Sequence, residues 1–445
     1  DGWQDLYVTN YGKNILYHNN GNGTFTDITD KSGVGAPGWS TCATWFDYDN
    51  DQKLDLFVSS FVYYNKSTNV FCGDNRRGRR YYCIPRVFKP MPGKLFKNKG
   101  DGTFADVSKQ SKIADSLGKE FGAVATDINN DGWMDIYLVN SGPSDFYAPK
   151  TPIRNALYRN NHDGTFTDIA LESGTAYNED GQPQAGMGVA IADYNGDGKL
   201  DIFKTHFAED TPVLYRNLGK WLFEDATFAA GFGTATKYVC WGAGMPDLDN
   251  DGWPDIAFVT GNVYPEVEKY FKEYPHRSPR AVFRNLGNGR FANVTNESGA
   301  GVLAPHSSRG CAFGDFDNDG DLDWLVMNMN EPPSLLRNNY AGKNNWLKVK
   351  LIGVKSNRSG LGARVVLTQG KQQQAQAAVS QSSYYSRDDA RLHFGLGEKT
   401  SAERVTVYWP SGQVDVLKDV PGNQLAIIKE GTGNATLSRL PIKSR

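Results

Sequence analysis

Residues Arg309–Asp323 read RGCAFGDFDNDGDLD, a strand of small and apolar residues running into a loop with Asp at positions 1, 3, 5 and 9 (Asp315, Asp317, Asp319, Asp323). The same nine-residue loop recurs as DYDNDQKLD (Asp47, Asp49, Asp51, Asp55), DINNDGWMD (Asp127, Asn129, Asp131, Asp135), DYNGDGKLD (Asp193, Asn195, Asp197, Asp201) and DLDNDGWPD (Asp247, Asp249, Asp251, Asp255). A sixth copy is halved at the start of the chain, where DGWQD supplies Asp1 and Asp5. Alternate side chains of a tight loop converge on one point. Hard oxygen donors at 1, 3, 5 and 9, with a backbone carbonyl expected at 7, suit Ca²⁺. Glycine at position 6 allows the φ > 0 turn that the wrap requires.

Asp, Asn and Gly also make ordinary turns. Five complete copies, each with a carboxylate at positions 1, 5 and 9, favour metal binding instead. These ligands take more than a third of the chain's 50 acidic residues. Without a cation each cluster repels itself over a few ångströms, so metal-free folding is expected to be weak. Each loop is followed by an apolar strand, with no exiting helix and no Glu at position 12, which argues against a calmodulin-like switch. In the Asp47 loop, Gln52 replaces glycine at position 6, which predicts a strained or weaker site.

The loops sit in a longer repeat: a small-residue strand, the acidic loop, an apolar strand, a variable segment, a strand like LYRN, a turn like GDGTF and a strand like TDIT. The last three read NILYHNNGNGTFTDIT from Asn14, KLFKNKGDGTFADVS from Lys94 and NALYRNNHDGTFTDIA from Asn155, with weaker versions from Val213 and Val282. Four short strands per unit, without helical periodicity, make one propeller blade, and radial stacking buries both faces of each sheet. The predicted fold class is therefore all-β, a propeller of six or seven blades. From about Asn344 to Glu430, strands such as WLKVKLIG, ARVVLTQG and RVTVYWPSG alternate with glycine-containing turns and predict a small β-sandwich. The expected division is 1–341 propeller, 342–432 sandwich and 433–445 polar tail.

The DxDxDGxxD loops beside GDGTFTD strands resemble the FG-GAP/VCBS repeats of integrin-α-type β-propellers. GNVYPEV (Gly261–Val267), RGCAFGDFDNDGDLD, LLRN (Leu335–Asn338), NNWLKVKLIG, SNRSGLGARV, RLHFGLG and VTVYWPSG resemble the ASPIC/UnbV (cartilage acidic protein-like) family. The resemblance covers nearly the whole chain. It implies an extracellular, calcium-loaded propeller, commonly seven-bladed, followed by a small β domain, with about five or six structural Ca²⁺.

Formal charge is −2, and five bound Ca²⁺ would make the molecule net positive. No apolar run is long enough to span a bilayer and no signal peptide is read, while a start inside a loop motif implies a true N-terminus upstream. Cys72 and Cys83 bracket the polar insertion FCGDNRRGRRYYC and are expected to pair, which fits an oxidising compartment. Cys42, Cys240 and Cys311 lie on apolar strands and read as buried free thiols. Sequons at Asn22, Asn65, Asn293, Asn296, Asn357 and Asn434 would permit glycosylation on a secreted route. The expected location is secreted, extracellular or at the cell surface.

If each acidic loop joins the first and second strands on one face, the variable segments Phe61–Gly93, Ser141–Asn155 and Gly261–Arg280 gather on the opposite face, the usual place for binding on a rigid scaffold. Two of them carry suggestive residues. Arg76, Arg77, Arg79 and Arg80 beside Tyr81 and Tyr82 form a basic-aromatic hairpin suited to an anionic polymer or simply to solvent. PEVEKYFKEYPHRSPR is expected to form a short helix from Pro265 exposing Tyr270 and Tyr274, with capping of a neighbouring blade as the alternative. No catalytic motif appears, the carboxylates are assigned to metal and nothing supports nucleic-acid recognition, so a non-enzyme is expected. Three functions remain: an extracellular binding or adhesion module for protein or glycan, a self-assembling structural (filament or surface-layer) glycoprotein, and a polysaccharide-active enzyme.

Overall fold

The structure, a computed structural model, describes residues 2–74, 78–80, 82–115, 118–141, 153–233, 235–269, 272–340 and 342–441. Asp1, Arg76, Arg77, Tyr81 and Tyr270, all singled out above, lie outside the described residues, as does most of the insertion 141–155.

Six blade-like antiparallel sheets follow one another among the described residues. The third is representative, with Glu120–Thr126, Asp135–Asn140, Ala156–Asn160 and Phe166–Asp168 hydrogen-bonded in chain order. The fourth (Val189–Ala192 to Leu222–Asp225) and fifth (Cys240–Gly244 to Phe291–Asn293) repeat it. The second adds Tyr11–Gly12 beside its first strand, Gly38–Phe46. The first (Leu6–Val8, Ile15–Asn19, Phe25–Asp27) and sixth (Ser308–Gly314, Asp323–Asn328, Ser334–Leu336) show three strands each.

Second strands are buried on both faces, as in Asp55–Ser60, Asp135–Asn140 and Ile256–Thr260. Each is sandwiched between neighbouring sheets, which is why these strands read as continuous apolar runs without alternation. The core clusters are shared accordingly. Phe46, Phe57 and Leu95 of the second sheet pack with Ile136, Leu138 and Tyr158 of the third, and Phe203 and Leu214 of the fourth with Ile256, Phe258 and Phe283 of the fifth. Each fully buried side chain of this size contributes about 1.5–3 kcal/mol to holding neighbouring sheets together. One-turn helices, unanticipated from the repeat, follow the last strands of the first, third and fourth sheets at Thr29–Ser32, Ala170–Ser173 and Thr227–Ala230. Asp27 and Asp225 accept hydrogen bonds from the Thr29 and Thr227 backbone N–H, and those threonine hydroxyls accept from Leu16 and Leu214 N–H.

The C-terminal sandwich faces Leu392–Gly397, Asn345–Ile352, Gln424–Lys429 and Ala435–Ser438 against Gln372–Ala377, Arg364–Gln369, Ser401–Tyr408 and Val414–Pro421. Leu347, Val349, Val365, Leu367, Phe394, Val405 and Trp409 fill its core. Two expectations are corrected. The polar stretch from 433 is not wholly a tail, because Ala435–Ser438 pairs with Leu425–Ile428 as an edge strand that buries little and so carries no apolar signature. The segment from Pro265 forms only a single 3₁₀ turn, Val267–Lys269, among its described residues.

The sandwich does not stand apart. Its segment from Ala378 to Ala390 runs up the axis on which the first strands of the sheets converge. Ser380 Oγ donates to Trp45 O (2.8 Å) and accepts from Trp45 N–H (2.7 Å), near the acidic-loop end of that strand. Ser383 exchanges backbone hydrogen bonds with Val189, and Tyr384 packs on Phe121 and Trp241 towards the far end. The chain then returns to Phe313, whose N–H donates to Asp388 Oδ1 at 2.8 Å. The small-residue first strands are explained by this approach. A Cβ on Gly242 would lie 2.7 Å from Ser383 Oγ, and one on Gly310 would lie 2.7 Å from Ser386 Oγ.

Candidate metal centres

The five acidic loops share one geometry. Position 1 accepts from the backbone N–H groups of positions 5 and 6, at 2.7–3.1 Å, in the loops of Asp47, Asp127, Asp193, Asp247 and Asp315. Position 9 is buried in every loop (Asp55, Asp135, Asp201, Asp255, Asp323). Its Oδ2 accepts from the N–H of position 2 and its Oδ1 from the N–H of an Asn within two residues of the end of the third strand. Asp5 makes the same bond to Asn19 N–H at 2.8 Å, which places the half-loop in register with the others.

Two residues per loop take left-handed backbone. Position 6 does so as expected, from Gly132 (φ 88°) to Gly320 (φ 103°), and Gln52 is held at φ 70° in the same conformation. Position 4 does so too, as Asn50, Asn130, Gly196, Asn250 and Asn318 with φ 56–71°. Asn and Gly are the residues that visit this region at least cost.

The loops bring their carboxylates together. Oxygens of Asp47, Asp49 and Asp55, of Asp247, Asp249 and Asp251, and of Asp315, Asp317 and Asp323 lie within 4.8 Å of one another. Burial, and then repulsion from neighbouring carboxylates, pushes Asp55 up to about 8 and Asp47, Asp251 and Asp323 up to about 6, while Asp247 and Asp255 rise well above the usual range. In the loops with Asn at position 3, Asn129 and Asn195 turn an oxygen to the N–H of Asp131 and Asp197, with Asp127 and Asp193 alongside. Asp49 Oδ1 is buried with no hydrogen-bond partner. Clustered, desolvated carboxylates with an unmet acceptor fit a hard divalent cation. Basic side chains also reach the acids: Lys97 to Asp49, Lys53 to Asp51 at 3.1 Å, Arg337 to Asp317 and Asp319 at 2.8 and 2.7 Å, and Lys348 of the sandwich to Asp315.

The Asn near the end of each third strand was not recognised from sequence. Its side-chain amide ties adjacent blades: Asn160 donates to Tyr48 O, Asn217 to Ile128 O, Asn285 to Tyr194 O and Asn338 to Leu248 O, in each case position 2 of the preceding loop. The signal was present as the final letter of LYHN, LFKN, LYRN, LYRN, VFRN and LLRN.

On the opposite face, Cys72 and Cys83 are disulfide-bonded and close the short hairpin Gly73–Asp74 and Arg79–Arg80. Arg80 is exposed, and the exposed Tyr82 ring lies 6.0 Å from Tyr264. Tyr274 donates its hydroxyl to Glu209, in the insertion of the neighbouring sheet, at 2.6 Å. Cys42, Cys240 and Cys311 are free and buried. Asn22, Asn65, Asn293, Asn296 and Asn434 are exposed. Asn357 is withdrawn as a glycosylation candidate: it is buried, and its amide bonds both N–H and C=O of Leu361.

The FG-GAP-like repeat family matches residues 1–58, 70–138, 127–203 and 272–326, more than half the chain, and the ASPIC and UnbV family matches 353–435. The chain belongs to the FG-GAP-like repeat family and carries an ASPIC and UnbV domain. It is 32% identical over 289 residues to cartilage acidic protein 1 of Xenopus tropicalis, covering 62% of this chain and 41% of that protein. To the Homo sapiens protein of that name it is 30% identical over 308 residues, 66% of this chain and 42% of that one. The chain thus spans about two fifths of these relatives' length. It is also similar to an Agrocybe aegerita lectin that recognises non-reducing terminal N-acetylglucosamine (16% identity, TM-score 0.35, 76% of this chain and 80% of that one), a likeness too low to carry an argument. Among the described residues no helix is long and apolar enough to cross a membrane.

Proposed function

We propose that this chain is an extracellular binding module, stabilised by about five structural Ca²⁺, that engages a protein or glycan through the face opposite the acidic loops. The single observation behind this reading is the seat of the sandwich. Arg364 donates to Gly198 O (3.2 Å), Gln372 to Gly252 O (2.9 Å), Asn344 to Asp249 O (2.8 Å), and Gly397 N–H to Asn250 O (2.9 Å). His393 is buried and held neutral, its pKa pushed down to about 3 by burial, and its Nε2 lies 2.6 Å from Asn250 Oδ1. The sandwich therefore sits on the acidic loops of the fourth, fifth and sixth sheets, and the long insertions bearing Arg80 and Tyr82 lie at the opposite ends of the strands. Rigid blades with long loops on one rim suit recognition. The disulfide and the relatives agree with an oxidising, extracellular setting.

The test is a screen of the whole chain in millimolar Ca²⁺ against immobilised extracellular proteins and glycans, repeated with Arg80→Ser/Tyr82→Ala. Binding lost in the double variant supports the reading. Binding that survives it but is lost on changing exposed residues of the sandwich would relocate the site. Concentration-dependent filaments in place of a partner would favour self-assembly, and cleavage of an offered polysaccharide would favour an enzyme.

A further inference from the structure

The acidic loops fall into two classes by what lies on them. At position 6 of the fourth, fifth and sixth sheets the glycine is packed under the sandwich: Gly198 beside the Gln373 side chain, Gly252 with Gln374 and Gln372 Nε2 at 3.0 and 3.2 Å from a Cβ, and Gly320 against the Trp346 indole. At the third sheet a Cβ on Gly132 would meet nothing within 4 Å, and at the second sheet position 6 is the exposed Gln52. The carboxylates follow the same division. Asp193 Oδ2 accepts from Ala375 N–H at 3.3 Å, Asp247 lies against Gly395, which leaves no room for a Cβ there, and Asp315 is paired with Lys348. The sandwich reaches the third loop at position 8, where a Cβ on Gly362 would lie 3.0 Å from Met134 Sδ, but leaves its position 6 open, as it does at Gln52.

Two of the three covering strands launch and recover the axial segment, and the third, Asn345–Ile352, bears Trp346 and Lys348. Gln372–Ala377 leads into Ala378, and Leu392–Gly397 resumes after Ala390. Between them the chain turns at its tip through Ser383 (φ 62°) and Tyr385 (φ 52°), left-handed conformations that a serine and a tyrosine adopt only at a cost. The tip lies at the far ends of the first strands. Tyr384 stacks on Tyr385 (4.0 Å), Tyr385 sits 6.2 Å from Phe121, and Tyr385 is 41% exposed. Around it are Phe61 stacked on Phe121, and Arg309 lying 4.1 Å over Trp241.

We infer that metal loading of the three covered loops, at Asp193, Asp247 and Asp315, seats the axial segment, and that this segment sets the opposite face by delivering Tyr384 and Tyr385 to its centre. The loops at Asp47 and Asp127, whose position 6 the sandwich leaves open, are coupled to the segment more weakly. The physical route is short: from the Asp193 and Asp247 loops to Gln372–Ala377 and Gly395, and from the Asp315 loop to Arg391, whose Nη2 donates to Asp315 O at 3.2 Å, then along the same backbone to Ser383 and Tyr385. A cation that fixes the loop fixes the surface on which these strands rest, and by linkage a seated segment holds the cation more tightly. The inference rests on the binding face proposed above, but its test needs no partner and so fails or stands separately.

The experiment is hydrogen–deuterium exchange on the full chain, following peptides within 378–391 across a Ca²⁺ titration, in the parent, Asp247→Asn and Asp127→Asn. Exchange in 378–391 is expected to rise at least about tenfold when Ca²⁺ is chelated, a coupling of ordinary size. At intermediate Ca²⁺ it is expected to rise clearly more in Asp247→Asn than in Asp127→Asn. Should Asp247→Asn fail to fold, terbium release from the parent supplies the same information. A slow phase that coincides with deprotection of 378–391 supports the coupling, and release in one phase with no change there overturns it. Equal protection with and without Ca²⁺, or equal effects of the two variants, also overturns it.

Discussion

Asn285 offers the sharpest test of how the blades are joined. Its side chain is buried, donates to Tyr194 O of the preceding loop at 2.8 Å and to Pro254 O of its own loop at 3.0 Å, and accepts from Gly287 N–H at 3.0 Å. Asn285→Ala removes a donor from two buried carbonyls, at roughly 1–2 kcal/mol each, and an acceptor from a partly wet N–H, at less than about 1 kcal/mol, for a total near 3 kcal/mol. Asn285→Asp restores the acceptor but turns an anion towards two carbonyl oxygens beside Asp255, and should cost more than alanine at neutral pH. The neighbouring Leu286 is exposed, so Leu286→Ala should change stability by less than about 0.5 kcal/mol. Urea unfolding of the full chain in saturating Ca²⁺ reads these differences from the transition midpoints. Asn285→Ala within about 0.5 kcal/mol of the parent, or no worse than Leu286→Ala, would refute the stapling argument for all four asparagines.

Gln52→Gly should stabilise the chain by about 1 kcal/mol, because φ 70° is strained for glutamine and ordinary for glycine. The same strain and the open position of the Asp47 loop predict that it releases its ion first on titration with chelator; release last would contradict this. Glu120 is buried and accepts from Ser60 and Gly93 N–H, and burial pushes its pKa up to about 8. A carboxyl raised in the folded state binds more protons there than when unfolded, so its contribution to stability declines as pH rises from about 4.5 to 8. Glu120→Gln should flatten that part of the stability–pH profile, and an unchanged slope would show that the group is not buried neutral. Expressed through a eukaryotic secretory route, peptides spanning Asn357 should stay unglycosylated, and a glycan found there by mass spectrometry would contradict its burial.

Much of this architecture is legible in the chain because it is written as repeats. Oxygen donors at 1, 3, 5 and 9 can mean only a few things when they recur before an apolar strand, and the strands that follow are apolar on both faces because blades pack on both sides. The left-handed residue at position 4 was legible in principle, as Asn or Gly in every copy, but it was hidden among ordinary turn formers. The Asn staples were missed because an Asn at a strand end reads as a turn residue, and only the carbonyls of the preceding blade, some ninety residues earlier, give it its role. The axial segment was illegible for a physical reason. SQSSYYSRDD is polar and without periodicity, so it reads as a surface loop. It is sheltered in the channel because its polar groups meet the backbone of several first strands there, as Ser380 does with Trp45 and Asp388 with Phe313. The seat of the sandwich was hidden likewise, in hydrogen bonds from Gln372, Asn344 and Arg364 that no local pattern announces.

The central claim is that cations clamp the acidic loops and so hold the blades. Its most direct measurement is the thermal midpoint of the full chain in millimolar Ca²⁺ and in excess EDTA, with the number of ions counted by calorimetric titration. Each site filled at a hundred times its dissociation constant contributes about 2.7 kcal/mol, so removing several should lower the midpoint by more than about 10 °C. A titration that counts about five ions and a large fall in EDTA are the predicted results. A melt unchanged by EDTA, or no bound calcium, would contradict the account.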